Sequence, residues 1–508
     1  MMKYFLLLLS PLFSAVLAAQ SGPNIVLIIS DDHAYQAISA YGGRLMQTPG
    51  IDRIAAEGVR FDKAYVTNSI CGPSRAVMLT GKYSHKNGFK DNETSRFDAS
   101  QNSFIKELTK SGYQTAWIGK YHLGEKPEGF TYWQLLPGQG SYYNPDFLMM
   151  DGSRKRVEGY VTNVVEDAAE SWLSGRDTSR PFCLVIGHKN THRTWMPDLQ
   201  DLGMFDNTHF PLPANFYDDY KSRPAAAGQD MTIEKTMRMD YDLKMFASRE
   251  EAMKQGSIAR MTEAQREKYL GYYEEINKEL QSKSLSGRAL TEWKYQRYMR
   301  DYLATAASLD RNIGRTLDYL DKNGLTGNTI VIYVSDQGFY MGEHGWFDKR
   351  WMYEESFRTP MVMRYPGKIE PGSVNKDMVL NLDIPPTLLQ AAGVAIPADM
   401  QGESFLPLVS NEKMAGKKGR KAIYYHYYEN GEHAVSPHFG VSTGRYKLIR
   451  FYKRTEGWEL YDMKKDPAEM NNVYPQKKYR DKVKKLKKEL LRLIRKYEDT
   501  EAAALMDQ

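Results

Sequence analysis

The sequence predicts an α/β protein, a large central mixed and mostly parallel sheet flanked by helices, with a smaller antiparallel sheet at its C-terminal end. Three observations carry this. Short apolar runs at NIVLIIS (24–30), QTAWIG (114–119), PFCLVIGH (181–188) and TIVIYVS (329–335) have the length and β-branched content of buried strands. Helical patterns lie between them, at 261–280 and again at 293–320, where Met299, Leu303, Ala306, Leu309, Ile313, Leu317 and Leu320 form a stripe ahead of Gly324. After about residue 410 the pattern changes to short strands without intervening helices: AIYYHYY (422–428), FGVST, YKLIRFY (446–452) and WELYDM (458–463).

In chain order, the first residues MMKYFLLLLSPLFSAVLAAQSG carry one Lys, an apolar run and small residues near Ala18 and Ala19, the pattern of a secretory signal peptide over 1–19. The run is short for a membrane span and no Cys stands at the cleavage region for a lipid anchor, so export to the periplasm or beyond is expected, without stable membrane insertion. NIVLIIS runs directly into Asp31 and Asp32, and TIVIYVS into Asp336 and Gln337. Two strands that each end in oxygen-bearing side chains suit the carboxyl edge of an α/β sheet, where ligands bind; either alone reads as an ordinary Asp turn. RPAAAGQD (223–230) reads as a surface loop or insertion. The late run KKYRDKVKKLKKELLRLIRK (477–496) places Val483, Leu486, Leu490, Leu493 and Ile494 at helical spacing, which predicts a terminal surface helix with a solvated basic face.

Composition closes off other classes. With 508 residues, 42% hydrophobic and 26% charged, the chain is long enough for a large core. A mean hydropathy of −0.59 excludes a bundle of spanning helices. Lys plus Arg exceeds Asp plus Glu by 69 to 63, weak grounds for a nucleic-acid partner, and none is expected. Two cysteines are too few for a disulfide scaffold. Cys183 sits in an apolar strand pattern and reads as a buried small hydrophobe. Cys71 differs, because it opens CGPSRAVMLTG, where Pro73 suits the first turn of a helix that Gly81 closes. A group at that position meets unpaired backbone N–H groups and the positive end of the helix dipole, which favour an anion, with Arg75 one turn later.

Cys71, Pro73, Ser74, Arg75, Leu79, Thr80 and Gly81 match the C-x-P-S-R signature, and the chain resembles the type I, formylglycine-dependent sulfatases of the alkaline-phosphatase-like superfamily. The resemblance extends over nearly the whole mature chain, including ELYDMKKDPAEMNN near the end. It makes residues 20–410 the catalytic domain and 411–508 a C-terminal subdomain with a four-stranded antiparallel sheet and a terminal helix. It implies that Cys71 is oxidised to formylglycine by a formylglycine-generating or anaerobic sulfatase-maturating enzyme. It also implies one Ca²⁺ held by Asp31, Asp32, Asp336 and Gln337 beside the modified Cys71. Three carboxylates and an amide form a hard oxygen set that suits Ca²⁺ or Mg²⁺, although Gln337 departs from the commoner Asn or His.

Position by position, the resemblance assigns Lys120 and His122 of GKYH, His188 of GHKNTHRTWMP and Lys349 of GEHGWFDKRWMYEE to the sulfate pocket, with Arg75. The mechanism that the resemblance implies has one hydroxyl of the hydrated aldehyde attack sulfur, with His188 protonating the leaving sugar oxygen and His122 assisting release of sulfate. His344 is a substrate-binding candidate; His192 is a further histidine of the same segments. In the late segment Glu432, His433 and His438 stand on a Tyr-rich stretch and are candidates for reading sugar hydroxyls across the cleft. Several segments are similar to bacterial N-acetylglucosamine-6-sulfatases, so the expected substrate is a sulfated saccharide. The expected activity is exo-acting removal of 6-O-sulfate from N-acetylglucosamine on glycosaminoglycan or mucin glycans. Another specificity (iduronate 2-sulfate, galactose 6-sulfate or N-sulfoglucosamine) is the alternative. A phosphoester hydrolase of the same superfamily would use Thr or Ser with a His-rich two-metal set, and a non-catalytic glycan-binding protein would have no need of the whole pocket.

Overall fold

A computed structural model describes residues 22–411 and 419–506; the expected signal peptide at 1–19 lies outside them. Ten strands form the main sheet in the spatial order 373–375, 59–61, 361–364, 329–335, 24–30, 182–187, 114–120, 132–136, 146–149 and 154–156. The four strands read from sequence lie together at its centre and are mutually parallel. Antiparallel neighbours enter at both flanks, making the sheet mixed.

Alternation along the central strands splits their side chains between two cores. Val26, Ile28, Ile118, Leu184, Ile186, Val331 and Tyr333 face the long helix Gly287–Lys322 and the helix Val161–Gly175. Ile25, Leu27, Ile29, Cys183, Val185, Ile332 and Val334 face the helices Phe104–Lys110 and Ile384–Ala391. Cys183 is thus a core residue, as its apolar surroundings in sequence predict. The helical pattern at 261–280 is the helix Glu263–Lys283, opened by a capping box between Thr262 and Gln265. The helix expected at 293–320 begins earlier, at Gly287.

A second sheet of four antiparallel strands, Ile423–Tyr427, His438–Ser442, Tyr446–Phe451 and Gly457–Asp462, packs against the helix Arg480–Tyr497. That helix buries Leu486, Leu490, Leu493 and Ile494 and turns its lysines outward, as its spacing predicts. Residues 223–230 lie at the surface, with Pro224, Ala227, Gly228 and Asp230 exposed, but part of the segment is anchored inward. Pro224–Ala227 form a helical turn with Ala225 and Ala226 buried, and Arg223 pairs with Asp218 at 2.5 Å inside the protein. Among the described residues no helix is long and apolar enough to cross a membrane.

Candidate active site

Register on the parallel strands builds the centre. Ser30 and Ser335 are partners, Ile29 pairs with Gly187, and Gly187 pairs with Gly119. Four chain segments therefore leave the same sheet edge side by side. They carry Asp31 and Asp32, Asp336 and Gln337, the loop from His188 to His192, and Lys120. Oxygens of Asp31, Asp32 and Asp336 lie within 4.8 Å of one another, and so do a ring nitrogen of His192, the Cys71 sulfur and an oxygen of Asp31.

Cys71 is the first residue of the helix Cys71–Thr80, whose end is set by Gly81 at φ +66°. The helix is buried along its whole length, so its N-terminal N–H groups face the centre rather than bulk water. Gly72 is closely packed: a Cβ there would stand 2.3 Å from Asn92 Oδ1 and 2.6 Å from the Phe89 ring, so both side chains would have to move. The Asn92 Nδ2 and Gln139 Nε2 groups approach the Cys71 sulfur at 3.6 and 3.9 Å.

Arg75 donates from Nε to Asp336 Oδ2 at 2.9 Å and from Nη1 to the Lys120 carbonyl at 2.8 Å, with its other Nη on the Ser30 carbonyl at 3.3 Å. Its fork is therefore spent on joining strand ends and on holding Asp336. Lys120 donates to Asp31 and to Gln139, and Lys349 to Asp32 at 2.7 Å. Burial pushes Asp31 upward, but Lys120, His192, Arg75 and Lys349 outweigh it and hold its carboxyl well below the usual range. Burial, reinforced by the neighbouring carboxylates, pushes Asp32 up to about 6 despite Lys349, and pushes Asp336 up as well.

The histidines sort differently from the sequence expectation. His188 N–H extends the strand pairing by donating to the Ile29 carbonyl at 2.8 Å. Its ring is buried with neither nitrogen hydrogen-bonded among the described residues, and burial with Arg75 nearby pushes it down to about 3. The chain then folds back, Asp31 N–H donating to the Asn190 carbonyl at 2.9 Å, and this return brings His192 against Cys71. His192 Nδ1 is bonded to the Arg193 carbonyl at 2.7 Å, which leaves Nε2 for the pocket. His122 stands at the rim at φ +60°, and burial together with Lys120 lowers it well below the ordinary value.

His344 is held in a buried cluster, Nδ1 against Asp218 at 2.7 Å, and its ring packs on Trp346 and Tyr353. Its Nε2 is buried with no hydrogen-bond partner among the described residues. His438 departs from its expected role: it is buried, donates to the Ser436 carbonyl at 2.8 Å and accepts from Met352 N–H at 3.1 Å. Glu432 is exposed, a few residues before it in the chain. His433 does reach the main domain, with Nε2 3.1 Å from Asp348 and 3.4 Å from Arg193.

Sequence reasoning missed Asp348, Arg350 and Glu429. Arg350 donates to Glu429 and to Tyr427, and Glu429 accepts from Asn92 N–H at 3.2 Å, which links the four-stranded sheet to the residue beside Cys71. The signal for two of them is the run FDKRWMYEE, where Asp348 and Arg350 flank Lys349. Gln139 and Lys189 give less away; Gln139 sits in a Gly-rich loop without a recognisable pattern.

This sheet with its edge cluster, and the second sheet docked beside it, define a hydrolase of the alkaline-phosphatase-like fold. A sulfatase family model matches residues 23–394, and a model of the N-sulphoglucosamine sulphohydrolase C-terminal region matches residues 342–496. The chain belongs to the sulfatase family and is a sulfuric-ester hydrolase. It is 48% identical over 490 residues to an N-acetylglucosamine-6-O-sulfatase of Bacteroides thetaiotaomicron, covering 94% of this chain and 87% of that protein. It is 28% identical over 510 residues to an N-acetylglucosamine-6-sulfatase of Capra hircus, covering 89% and 80%. A solved structure of a protein in complex with its substrate D-glucosamine-2-N,6-O-disulfate superposes with a TM-score of 0.91 at 48% identity, covering 94% of this chain and 99% of that one.

Proposed function

We propose that the protein removes 6-O-sulfate from glucosamine units at the non-reducing ends of sulfated glycans, glycosaminoglycan or mucin, and accepts either an acetyl or a sulfo group on the sugar nitrogen. The observation that carries this reading is the near full-length likeness to the Bacteroides thetaiotaomicron protein and to the structure holding the 2-N,6-O-disulfated sugar. The second substrate carries an N-sulfo group, which widens the N-acetyl expectation drawn from sequence.

One Ca²⁺ fits Asp31, Asp32, Asp336 and Gln337. Asp31 Oδ1 and Gln337 Oε1 are buried with no hydrogen-bond partner among the described residues, and oxygen atoms in that condition suit a hard cation. Cys71 fits conversion to formylglycine, since it sits at a buried helix N-terminus with two amide N–H donors on its sulfur. When present, the cation would neutralise sulfuryl oxygens and the aldehyde would supply the oxygen nucleophile that a thiol lacks. Around them the chain's own residues bind and orient. Lys120 and Lys349 set ammonium groups beside the carboxylates, where they balance an incoming sulfate. Arg75 fixes Asp336, and Ser74 locks the helix start by donating to the Asp336 carbonyl. His192 Nε2 is placed to hold the proton that the departing sugar oxygen needs. Asp348, buried next to Lys349 in the chain and paired with His433, would offer its carboxylate to sugar hydroxyls. Residues 20–410 carry the reacting groups, and 411–508 contribute His433 and Glu429.

Export through the 1–19 leader and maturation of Cys71 by a formylglycine-generating or anaerobic maturating enzyme complete the proposal. The test is free sulfate released from a panel of defined sugars. Glucosamine 6-sulfates, N-acetylated and N-sulfated, should turn over at least about tenfold faster than galactose 6-sulfate or a 2-sulfated iduronate disaccharide. The reverse order would overturn the choice of sugar.

A further inference from the structure

A cavity of about 390 Å³ opens beside the reaction centre, lined by Gln139, Tyr142, Lys189, His192, Arg193 and Lys244 among others. It is continuous with the centre, because Gln139 reaches the Cys71 sulfur and His192 belongs to the cluster of Cys71 and Asp31. The cations around it differ in one respect. Lys120 is paired with Asp31, Lys349 with Asp32 and Arg75 with Asp336. Arg193 is held at both ends by Asp242, at 2.6 and 2.8 Å, and Lys244 by Asp301 at 3.0 Å and two backbone carbonyls. Lys189 is 5% exposed, and among the described residues its side chain has no ion pair and no hydrogen-bond acceptor; its amine, which burial pushes down to about 7 against the pull of Asp31 and Asp32, lies over the Tyr142 ring, 4.8 Å from the centroid. Tyr142 is itself fixed, its hydroxyl donating to the His192 carbonyl.

A buried ammonium is costly unless an anion meets it, and a cation over an aromatic face keeps its hydrogen-bond donors unused. On the reading above the substrate already brings one anion, the scissile sulfate, which would face Lys120 and Lys349. We propose that Lys189 and this cavity form a second anion subsite, which takes the sulfo group on the nitrogen of the same glucosamine and so sets a preference for the N-sulfated over the N-acetylated sugar. The inference rests on the 6-O-sulfatase reading above and goes beyond it by naming the residue that reads the nitrogen substituent. Arg193 links the cavity to His433 and Asp348, so the sugar-hydroxyl face and the nitrogen substituent lie on the same side of the pocket.

The test compares kcat/KM for 6-sulfate release from N-sulfoglucosamine 6-sulfate and N-acetylglucosamine 6-sulfate, in wild type, Lys189→Met and Lys189→Arg. Wild type should favour the N-sulfated sugar. Lys189→Met should cut that preference by about 10- to 100-fold, mainly through KM, because a charge-assisted hydrogen bond is lost in the complex. Lys189→Arg should keep most of it. Calorimetric binding of N-sulfoglucosamine, which has no scissile group, should weaken in Lys189→Met by a similar factor. A preference unchanged within about twofold in Lys189→Met, or an equal loss on both sugars, would overturn the subsite. Failure of the underlying reading looks different: wild type would release sulfate from neither glucosamine while hydrolysing another sulfated sugar.

Discussion

Ser30 and Ser335 are register partners on adjacent parallel strands, so the chain leaves both at the same height. The next two residues of each then meet: Asp32 N–H donates to Asp336 Oδ1 at 3.1 Å, and Gln337 Nε2 to Asp32 Oδ1 at 2.5 Å. Three buried carboxylates this close repel one another, and that repulsion adds to burial in pushing Asp32 and Asp336 up. A divalent cation among them reverses that cost.

Metal removal is accordingly predicted to abolish sulfate release, with Ca²⁺ restoring it, and elemental analysis of active protein should find one Ca²⁺ per chain. Asp336→Ala should lose on the order of 10³-fold in kcat, and Gln337→Ala roughly tenfold or more, since the first removes a formal charge facing the cation and the second a neutral oxygen. Full activity in metal-free protein would reject the site.

Oxidation of Cys71 is checked by peptide mass analysis of protein made with and without a maturating enzyme. Activity should track the aldehyde or its hydrate at Cys71, and Cys71→Ala should be inactive. Full turnover by protein carrying only the thiol would remove formylglycine from the account.

His192 and His188 are separated by leaving-group chemistry. His192→Ala should cost roughly 10²- to 10⁴-fold on a sugar sulfate and much less on an aryl sulfate, whose phenoxide leaves without a proton. The same substitution at His188, whose ring is buried near Arg75 with neither nitrogen hydrogen-bonded among the described residues, should affect both substrates alike. A leaving-group dependence at His188 instead would restore the assignment read from the sequence.

The two histidines also mark how far the sequence can be read. NIVLIIS and TIVIYVS are legible as strands, and their shared design is enough to put the oxygen ligands side by side at one sheet edge. The end of PFCLVIGH is legible too, but not the return of the chain through the Asn190 carbonyl, a long-range contact to Asp31 that brings His192 against Cys71. His438 departs from expectation for a related reason. Strands with one solvated face alternate, whereas all five residues of His438–Ser442 are buried between Trp351 and the terminal helix, so polarity no longer signals exposure. Arg350 and Glu429 could not be paired at all, being 79 residues apart.

That pair yields a stability prediction. Glu429 is 4% exposed and accepts from both Arg350 and Asn92 N–H, so Glu429→Ala would leave the buried Arg350 guanidinium with Asp348, at 3.4 Å, as its remaining carboxylate. A loss of about 2–3 kcal/mol is expected in urea unfolding, with Glu429→Gln losing less because it keeps an acceptor oxygen. Equal stability of wild type and Glu429→Ala would show that the contact contributes little between the two sheets.

The last prediction concerns pH and lies far from the reacting groups. Glu166, on the helix Val161–Gly175, is buried against the long helix and accepts from Thr316 Oγ1 at 2.7 Å, while its other oxygen has no partner among the described residues. Burial pushes its carboxyl up to about 8, and the Thr316 hydrogen bond only partly opposes this. A carboxyl raised on folding favours the native state while it is protonated. Its contribution is therefore complete below the unfolded value near 4.5 and is lost as pH rises through about 8. Glu166→Gln keeps the acceptor for Thr316 and cannot ionise. The variant should match wild type near pH 4 and exceed it by an amount on the order of a few kcal/mol above pH 8, read as the difference between two urea-unfolding series across pH. A difference that stays flat with pH would mean that Glu166 does not carry its proton into the folded state.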